Sequence, residues 1–467
     1  MTPTLTAILA YMLVQFGIGI WVSRRIRSEA DYLIAGRSLG YGLTTFSIFA
    51  TWFGAETIVG AAGTTYREGV SLASAEPFGY ALCLVLMGLV FAGPLWRRKL
   101  TTLADLFRQR YSTGVERFAA IILVPSSVLW AAAQVRAFGT VLSSASTLDV
   151  NLAITTAAAF VILYTAVGGL LADAVTDLIQ GVMLAVGLVV LGMAVVAHLG
   201  GVGAATAAVV ANDGIQLVGD GGATVMETLE AWAIPVCGSV IATEIVARVI
   251  AARSGDVARR SSMLAGGLYL MLGVIPVFVG LVGVGMLPGL ADAEQLLPAL
   301  AHQLLPTVAY AIFAGGLISA ILSTVDSTLL VASGLLSHNV LVPSFGVTSE
   351  RTKVRLARGG VVVLGIVAYV LALYAQGVFT LVEQASALGS AGALVTVTFG
   401  LFTTLGGPRT ALVTLASGMI VYLGASFTGM PYPFLTSLVA SLLAYLGGVA
   451  VEAILSRDSP AIESASD

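Results

Sequence analysis

Residues 47–63 read SIFATWFGAETIVGAAG, an apolar helical stretch that contains a glycine, Gly54, and an acid, Glu56. Ionisable side chains within a membrane helix are costly, and they usually face a cavity or a partner. The pattern favours a discontinuous helix whose freed backbone carbonyls coordinate a cation. The alternative is a continuous helix in which Gly54 serves packing and Glu56 pairs with a neighbour.

The whole chain is apolar enough to surround this stretch with other membrane helices. Of its 467 residues 58% are apolar and 10% are charged, the mean hydropathy is +0.97, and the net charge is −3. Soluble domains carry about 25% charged residues, so the composition excludes an aqueous enzyme, and the net charge excludes a basic surface for nucleic acid. A bilayer needs about 20 apolar residues per helix, which predicts about thirteen transmembrane helices. They lie near residues 4–23, 41–65, 75–96, 116–146, 151–170, 174–199, 226–252, 261–288, 307–337, 354–375, 378–404, 409–429 and 432–454.

Positive charges are distributed unevenly among the predicted loops. With the N-terminus outside, all lysines and arginines except Arg67 and Arg136 fall in cytoplasmic loops or at inner helix ends, Arg248 among them. This asymmetry predicts a multi-pass chain with its N-terminus outside and its C-terminus in the cytoplasm. The first cations follow the first apolar run, which predicts a retained helix and not a cleaved signal peptide. The polar tail, 457–467, is predicted to be disordered.

A second interrupted helix is predicted in residues 229–251, LEAWAIPVCGSVIATEIVARVIA. Pro235 removes a backbone donor, Gly238 lets the chain open, and Glu244 lies farther in. The two breaks lie five spans apart, which predicts a five-plus-five inverted repeat around a midplane site, although each break alone is also compatible with a simple kink. The predicted division is an extra N-terminal helix and loop (1–40), a first repeat (41–199), a second repeat (226–404), two C-terminal helices (405–456) and the tail (457–467).

Oxygen-bearing side chains are concentrated in the ninth predicted span, GGLISAILSTVDSTLLVASG at 315–334. A single hydroxyl in a membrane helix usually bonds its own helix, whereas hydroxyls clustered with a carboxylate suit a hard cation such as sodium. By helical rise, Asp177 lies at a depth similar to that of Asp326, so these acids are expected to share a cation or a proton. The alternatives are a helix N-cap for Asp177 and a buried hydrogen bond for Asp326.

Arg136 lies deep within the fourth predicted span, in LWAAAQVRAFGT, and Trp130 precedes it. A guanidinium presents a planar fork that suits a substrate carboxylate, but an ion pair with Glu56 or Glu244 is an equal alternative. Trp130 faces either lipid or a cavity. No nucleophile is paired with a base, and no loop resembles a selectivity filter. The architecture therefore favours transport over catalysis or a channel.

Four segments resemble the sodium/solute symporter family, which includes the bacterial sodium/proline, sodium/galactose, sialic acid and pantothenate carriers and the choline transporter. They are ATWFGAETIVGAAGTTYREG (50–69), LTTLADLFRQRYS (100–112), YTAVGGLLADAVTDLIQG (164–181) and ILSTVDSTLLVAS (321–333). The resemblance extends over nearly all predicted spans. It implies an all-α polytopic membrane protein with a LeuT-type five-plus-five inverted repeat, located in a bacterial inner membrane.

The resemblance also implies where the coupling ion binds. One sodium ion is expected at the carbonyls of Ala50, Phe53 and Ala320 and the hydroxyls of Ser323 and Thr324. Some relatives hold a second cation toward the cytoplasm, and the matching residues are Asp177, Asp326 and Ser327. No cofactor besides sodium and no obligatory protein partner are expected; lipid, sodium and a small solute are the expected partners.

The solute site is expected to include Trp52, Glu56, Trp130, Arg136, Gly238 and Glu244. Trp52 and Trp130 are similar to aromatic residues of the choline branch and suit a quaternary amine, but Ala242 stands where that branch has a further tryptophan. Arg136 favours a carboxylate or zwitterion, whose amino group Glu244 or Glu56 would receive. The expected function is sodium-coupled uptake of a small organic solute, such as an amino acid or another carboxylate. The alternatives are proton coupling through the aspartates, a choline-like or betaine-like solute, and a transporter-like sensor.

Overall fold

The computed structural model describes residues 3–144, 148–211, 214–216, 223–375 and 377–457, and these residues are mostly helical. The helices are α1 Pro3–Ser23, α2 Glu29–Ile34, α3 Tyr41–Trp52, α4 Ala61–Glu68, α5 Phe78–Leu86, α6 Ala92–Arg97, α7 Ala104–Arg110, α8 Thr113–Ser144, α9 Val150–His198, α10 Val202–Val210, α11 Val225–Ala233, α12 Thr243–Ala251, α13 Gly255–Met286, α14 Leu296–Leu304, α15 Thr307–Gly334, α16 Val342–Phe345, α17 Glu350–Tyr374, α18 Val378–Ala387, α19 Ser390–Phe402, α20 Pro408–Phe427 and α21 Pro433–Arg457. Within the same residues, π-helical turns occupy Glu56–Gly60, Met87–Phe91, Ile234–Gly238 and Leu335–Leu341, and short 3₁₀ helices occupy Ala35–Arg37 and Ala293–Gln295. Two strands, β1 Val70–Ser71 and β2 Ile215–Gln216, form a parallel pair. Of the predicted tail, residues 458–467 lie outside the described residues.

The described residues form ten helices that are long and apolar enough to cross a membrane, by length and composition. Large apolar side chains remain exposed on the outer helices, for example Val363 in α17 and Leu443 in α21. Such a surface is stable against lipid and unstable against water. The described residues therefore form a mainly helical polytopic membrane protein.

The helix that begins at Tyr41 is interrupted at Phe53 and Gly54. α3 ends at Trp52 because Phe53 leaves the helical region, with φ −89° and ψ 68°. The Ala55 amide then donates to Oε1 of Gln134 at 3.1 Å, and not to a carbonyl of its own helix. The chain continues through the π-helical turn Glu56–Gly60 into α4. The Thr51 carbonyl, which a continuous helix would bond to the Ala55 amide, is thereby released.

A second interruption separates α11 from α12. The π-helical turn Ile234–Gly238 follows α11, and α12 begins only at Thr243. Pro235, which has no amide hydrogen, stands at the start of the turn. A side chain at Gly238 would lie 2.6 Å from the carbonyl oxygen of Ser386. α18 thus approaches this turn closely because residue 238 is glycine.

α9 contains the fifth and sixth predicted spans and is interrupted at Gly169, where φ is 69° and ψ is 172°. The break lies just before the link expected at 171–173. A side chain at Gly169 would lie 2.8 Å from the ring of Tyr32, and the positive φ also favours glycine. Asp177 lies about two turns beyond the break, inside the helix. It is therefore not the N-cap that the sequence left as an alternative.

α15 lies at the centre of the bundle, where every residue from Phe313 to Gly334 is buried. It packs against α3, α8 and α9. A side chain at Gly316 would lie 3.0 Å from the backbone of Leu184 in α9, so a small residue permits this close approach. The hydroxyl groups of α15 consequently face the protein interior and not lipid.

The two ends of the bundle differ in character. At one end, which we call the strand end, β1 pairs with β2, and Nε1 of Trp232 donates to the Leu72 carbonyl at 2.8 Å. The two strands belong to loops that the charge distribution predicts to be outside.

The opposite end is closed by a buried polar group of residues, which we call the His338 cluster. His338 contacts Glu29 at 3.0 Å and Asp105 at 3.3 Å. The adjacent Asn339 donates to Asp105 at 3.1 Å and to Glu116 at 2.8 Å. Burial raises the pKa of Asp105, but hydrogen bonds from His338 and from backbone amides outweigh burial and hold this pKa below its usual value. The cluster joins α2, α7 and α8 to the turn that follows α15.

Candidate ion and solute sites

The first candidate site lies where the end of α3 meets α15. Oγ1 of Thr324 donates to the released Thr51 carbonyl at 2.9 Å and to the Ala320 carbonyl at 3.1 Å. Thr51 lies between Ala50 and Phe53 in the chain, and both of these residues are fully buried. The structure thus brings the Ser323–Thr324 pair to the first helix break. The oxygen atoms at this contact are hydroxyls and carbonyls, which are ligands that a hard monovalent cation accepts.

Asp177 joins this contact from α9. Its Oδ2 accepts from the Ser47 hydroxyl of α3 at 2.6 Å, and its Oδ1 accepts from the Ser323 hydroxyl of α15. All three side chains are fully buried. A carboxylate therefore supplies negative charge directly beside the predicted sodium ligands.

A buried arginine, Arg248 of α12, lies next to this carboxylate. Its guanidinium forms an ion pair with Asp173, donates to the hydroxyl of Ser327, and lies 4.0 Å from Oδ2 of Asp177. The side chain of Arg248 has no exposed surface. The sequence analysis assigned Arg248 to a helix end, and it does lie in the last turn of α12, but its side chain is buried and ion-paired and does not face a loop. The register of α12 after the break carries the residue into the bundle.

Four buried charged groups thus meet around Ser327. Its hydroxyl lies 3.1 Å from Oδ2 of Asp173 and 3.1 Å from Oγ1 of Thr51. Asp173 and Asp326 line one small space together. With Asp177, three aspartates surround one arginine, and their exposed fractions are at most 3%. The residual negative charge requires further cations or protons.

A polar opening lies at the strand end of the molecule. It is a cavity of about 240 Å³ between the segments that follow α4 and α11. Four glutamates line it, namely Glu56, Glu68, Glu76 and Glu383. Among the described residues, no lysine or arginine lines it. The cavity therefore attracts positively charged solutes.

Aromatic rings pack beside the inner part of this cavity. Tyr80 lines it, and the ring of Trp52 lies 6.2 Å from that of Tyr80 and 4.7 Å from that of Trp130. The hydroxyl of Tyr269 donates to Oε1 of Glu76 at 2.8 Å. Glu56 is held by Gln134, whose Nε2 donates to Oε2 at 2.7 Å. Buried carboxylates and rings are thus arranged side by side.

Two other predicted residues, Gly238 and Glu244, line a smaller cavity together with Trp130. Glu244 accepts a hydrogen bond from the hydroxyl of Ser127. This cavity includes Ser386, whose hydroxyl lies 3.2 Å from that of Tyr80. The residues predicted for the solute therefore fall into two neighbouring spaces that share the region of Trp130 and Tyr80.

Arg136 lies apart from these residues. Its Nη1 donates to the Ala372 carbonyl of α17 at 3.3 Å. It lines neither cavity, and it forms no ion pair with Glu56 or Glu244 in the described part of the chain. Arg136, which was predicted to bind a substrate carboxylate, therefore contacts neither of the two cavities where a solute would lie.

Several residues of these sites escaped the sequence analysis. Asp173 and Arg248 were not recognised because each resembles an ordinary helix-end charge when its register is unknown. Glu76 and Tyr80 follow the first break but lie in a loop and the next helix. Glu383, near the start of the eleventh predicted span, also lines the cavity. Acidic residues are frequent near the predicted outer helix ends. That pattern is the sequence signal that could have identified the glutamates of the cavity.

Substitution of Gly238 by alanine is expected to destabilise the protein by about 1–3 kcal/mol, the usual effect of overpacking. The added methyl group would lie 2.6 Å from the backbone oxygen of Ser386, which cannot rotate away. Gly267→Ala is the matched control because nothing lies within 4 Å of the added group there. Thermal unfolding of the purified variants measures the effect. Equal unfolding midpoints for the two variants would contradict the close approach of α18.

Buried carboxylates and hydroxyls at helix breaks, within a bundle of membrane helices, define an ion-coupled membrane transporter. The family model of the Sodium:solute symporter family matches residues 32–418. The chain belongs to this family, and the resemblance found in the four sequence segments is confirmed. Its relatives are transporters and not enzymes.

Similar proteins include carriers of different solutes. The human high affinity choline transporter 1 is 29% identical over 402 residues, which cover 81% of this chain and 69% of that protein. The sodium/pantothenate symporter of Escherichia coli is 24% identical over 459 residues, which cover 94% and 95% of the two chains. A sodium-coupled sialic acid symporter, solved in a substrate-bound outward-open state, aligns with a TM-score of 0.85 at 16% identity over 97% of this chain and 98% of that chain. The last comparison shows the fold.

Proposed function

We propose that this chain is a sodium-coupled symporter that imports a small organic solute with an ammonium group. The observation that carries the proposal is the cavity of about 240 Å³ that four glutamates line without a lysine or arginine among the described residues. An ammonium or quaternary ammonium group is attracted by carboxylates and by the faces of aromatic rings. Glu56 and Tyr80 supply both kinds of group in one space.

The expectation of a carboxylate-bearing solute rested on Arg136. Because that side chain bonds the Ala372 carbonyl and lines neither cavity, the geometry favours a cationic solute over an anionic one. A zwitterion such as an amino acid remains compatible through its amino group. The 29% identity to a choline transporter supports the same class of solute.

Sodium coupling is supported by the family and by the contact between α3 and α15. The ion is cargo, and its proposed ligands are Ala50, Phe53, Ala320, Ser323 and Thr324, with Asp177 beside them. The same break positions Trp52 and Glu56 at the solute cavity. An ion that ties the end of α3 to α15 would fix these side chains in place. Each ligand should therefore tighten the binding of the other, because such coupling is reciprocal.

We also propose the membrane arrangement. The ten long helices become eleven spans when α9 is divided at its break. With α1 and the interrupted pair α3 and α4 they would make thirteen spans, with two broken helices in a five-plus-five repeat. The N-terminus would be outside and the C-terminus in the cytoplasm of a bacterial cell. The solute cavity then opens outward, and the His338 cluster closes the inner side. Solute and sodium bound together would favour the inward-open state by alternating access.

Thermal unfolding of the purified protein in sodium or potassium chloride tests this function. We expect choline, betaine, amines or amino acids to stabilise the protein in sodium only, by about 2.7 kcal/mol at a concentration one hundredfold above Kd. Monocarboxylates and sugars are expected to have no effect. Ser323→Ala should remove the sodium dependence.

The matched control is Ser262→Ala, which removes a buried hydroxyl that bonds only the Ala258 carbonyl among the described residues. It should retain the sodium dependence. Equal stabilisation in both salts would exclude sodium coupling and favour protons carried by Asp177 and Asp326. Stabilisation by carboxylates lacking an amine would exclude the ammonium solute while leaving sodium coupling intact.

A further inference from the structure

Two turns meet at the end of the bundle opposite the strand end. One follows α6, at residues 97–99, and the other joins α12 to α13, at residues 252–254. Nε1 of Trp96 donates to the Ala252 carbonyl at 2.7 Å. A side chain at Gly255 would lie 3.3 Å from the ring of Trp96. The two turns are therefore in direct contact.

Exposed cations are concentrated on these turns and on the first two helical turns of α13. We call them the basic face, and they are Arg97, Arg98, Lys99, Arg253 and Arg259. None of the five forms an ion pair with another described residue. Elsewhere at this end of the bundle Arg108 pairs with Asp105 and Glu116, and Lys353 pairs with Glu350. The basic face thus carries positive charge that no ion pair of the described chain compensates.

Acidic residues are scarce around the two turns. Residues 88–104 and 252–263 contain a single acid, Asp256, which pairs with Arg260 at 2.9 Å and accepts from the Tyr41 hydroxyl. Cytoplasmic loops are generally basic, but that rule does not require two distant loops to bring their cations together on one face. Such a concentration of charge attracts an anionic ligand.

The surface beside the basic face is apolar on the membrane side. A side chain at Gly88 would lie 2.7 Å from the backbone oxygen of Arg259, so the turn Met87–Phe91 packs closely against α13. Next to this contact, Leu89 and Leu264 are largely exposed. Clustered cations above an exposed apolar surface match a lipid that has an acidic headgroup and acyl chains.

The basic face also adjoins one end of each interrupted helix. The Leu39 amide donates to the carbonyl of Ala251, the last residue of α12, at 3.2 Å, and the Arg253 amide donates to the Leu39 carbonyl at 2.9 Å. Two residues after Leu39, α3 begins at Tyr41 and leads to the first break. A ligand held by Arg253 therefore also holds the segments that lead to both breaks.

We propose that the basic face binds the headgroup of an acidic phospholipid, and that this lipid stabilises the described arrangement of α3 and α12. The headgroup phosphate accepts from guanidinium groups of both turns, because the planar fork of arginine suits phosphate. The acyl chains cover the apolar surface at Leu89 and Leu264. In the orientation proposed above, the lipid belongs to the cytoplasmic leaflet. The inference goes beyond the proposed function and depends on neither the solute nor the coupling ion.

Thermal unfolding of the purified protein in detergent tests this site. The protein is titrated with short-chain phosphatidylglycerol, which is acidic, or with short-chain phosphatidylcholine, which has no net charge. We expect only phosphatidylglycerol to raise the unfolding midpoint, and added salt to weaken its effect. Arg98→Gln/Arg253→Gln should raise the half-saturating concentration about thirtyfold, since each cation near an acidic lipid surface contributes about fivefold.

The matched control is Arg351→Gln/Arg355→Gln, which removes two exposed arginines from α17, a helix that packs against α8 and α9. It should keep the wild-type half-saturating concentration. Both double variants should unfold at the wild-type midpoint without lipid, because all four side chains are exposed.

Equal stabilisation by the two lipids would overturn the lipid site, and so would an unchanged half-saturating concentration in Arg98→Gln/Arg253→Gln. Inorganic phosphate is the third titrant. If it stabilises the protein as strongly as phosphatidylglycerol does, the basic face binds a free anion and the lipid site is again overturned. None of these results bears on the dependence of solute binding on sodium, so the lipid site and the proposed function fail separately.

Discussion

Replacement of Arg248 by methionine is expected to destabilise the protein by about 3–5 kcal/mol in sodium-free buffer, the usual effect of removing one partner of a buried ion pair. Methionine preserves much of the apolar stem of the side chain. It leaves Asp173, Asp177 and Asp326 buried with no compensating positive charge among the described side chains. Thermal unfolding in detergent measures the change.

The double variant Arg248→Met/Asp173→Asn should recover much of this loss, because it removes one of the uncompensated carboxylates. The cycle of single and double variants isolates the interaction between the two residues. Arg260→Met is the control, since Arg260 pairs with Asp256 at 2.9 Å on an exposed surface, where an ion pair contributes about 0–1 kcal/mol. If the double variant is no more stable than Arg248→Met, then Arg248 does not stabilise the protein by compensating the charge of Asp173.

Substitution of Glu56 by glutamine is expected to weaken solute binding by roughly ten- to hundredfold, because it removes the negative charge that attracts the ammonium group, and a contact of this kind with a charged group contributes about 1.5–3 kcal/mol. Glutamine has nearly the same shape and can still accept from Gln134. The fold around the first break should therefore persist. Isothermal titration calorimetry, with the solute found by the thermal screen, measures the affinity in saturating sodium.

Glu68→Gln provides a control in the same cavity, since its side chain is 67% exposed and water screens its charge. Its effect should stay below about threefold. Loss of affinity in Glu68→Gln equal to that in Glu56→Gln would indicate that the cavity attracts the solute by its total charge alone. Unchanged affinity in Glu56→Gln would remove this residue from the solute site.

The helical character of the chain could be predicted from the sequence because long apolar segments have few alternatives in a membrane. Glycine and proline marked the places where α3 and α11 end, since these residues weaken helical bonding. The break in α9 was located only approximately. Gly169 is one of two adjacent glycines, and its contact with Tyr32 of a distant segment, which the sequence cannot reveal, shows why a side chain is excluded there.

The ion site was partly predictable because hydroxyl groups and acids are rare enough in membrane helices to be conspicuous. Ser323, Thr324 and Asp177 meet at α3, as expected from their types. The pairing of Asp173 with Arg248 depends on the rotation of α12 after an irregular segment, and no local pattern fixes that rotation. Arg136 is the opposite case. This partly buried side chain donates to a backbone carbonyl, and nothing in the sequence indicates that partner.

The His338 cluster has a consequence for the speed of transport. Two adjacent residues, His338 and Asn339, hold acids from three separate segments, Glu29, Asp105 and Glu116. These bonds share atoms and therefore break together when this end of the bundle opens. A concerted rupture of this kind has a large activation enthalpy. The turnover rate should consequently rise steeply on warming, while solute capture from the opposite side remains almost independent of temperature.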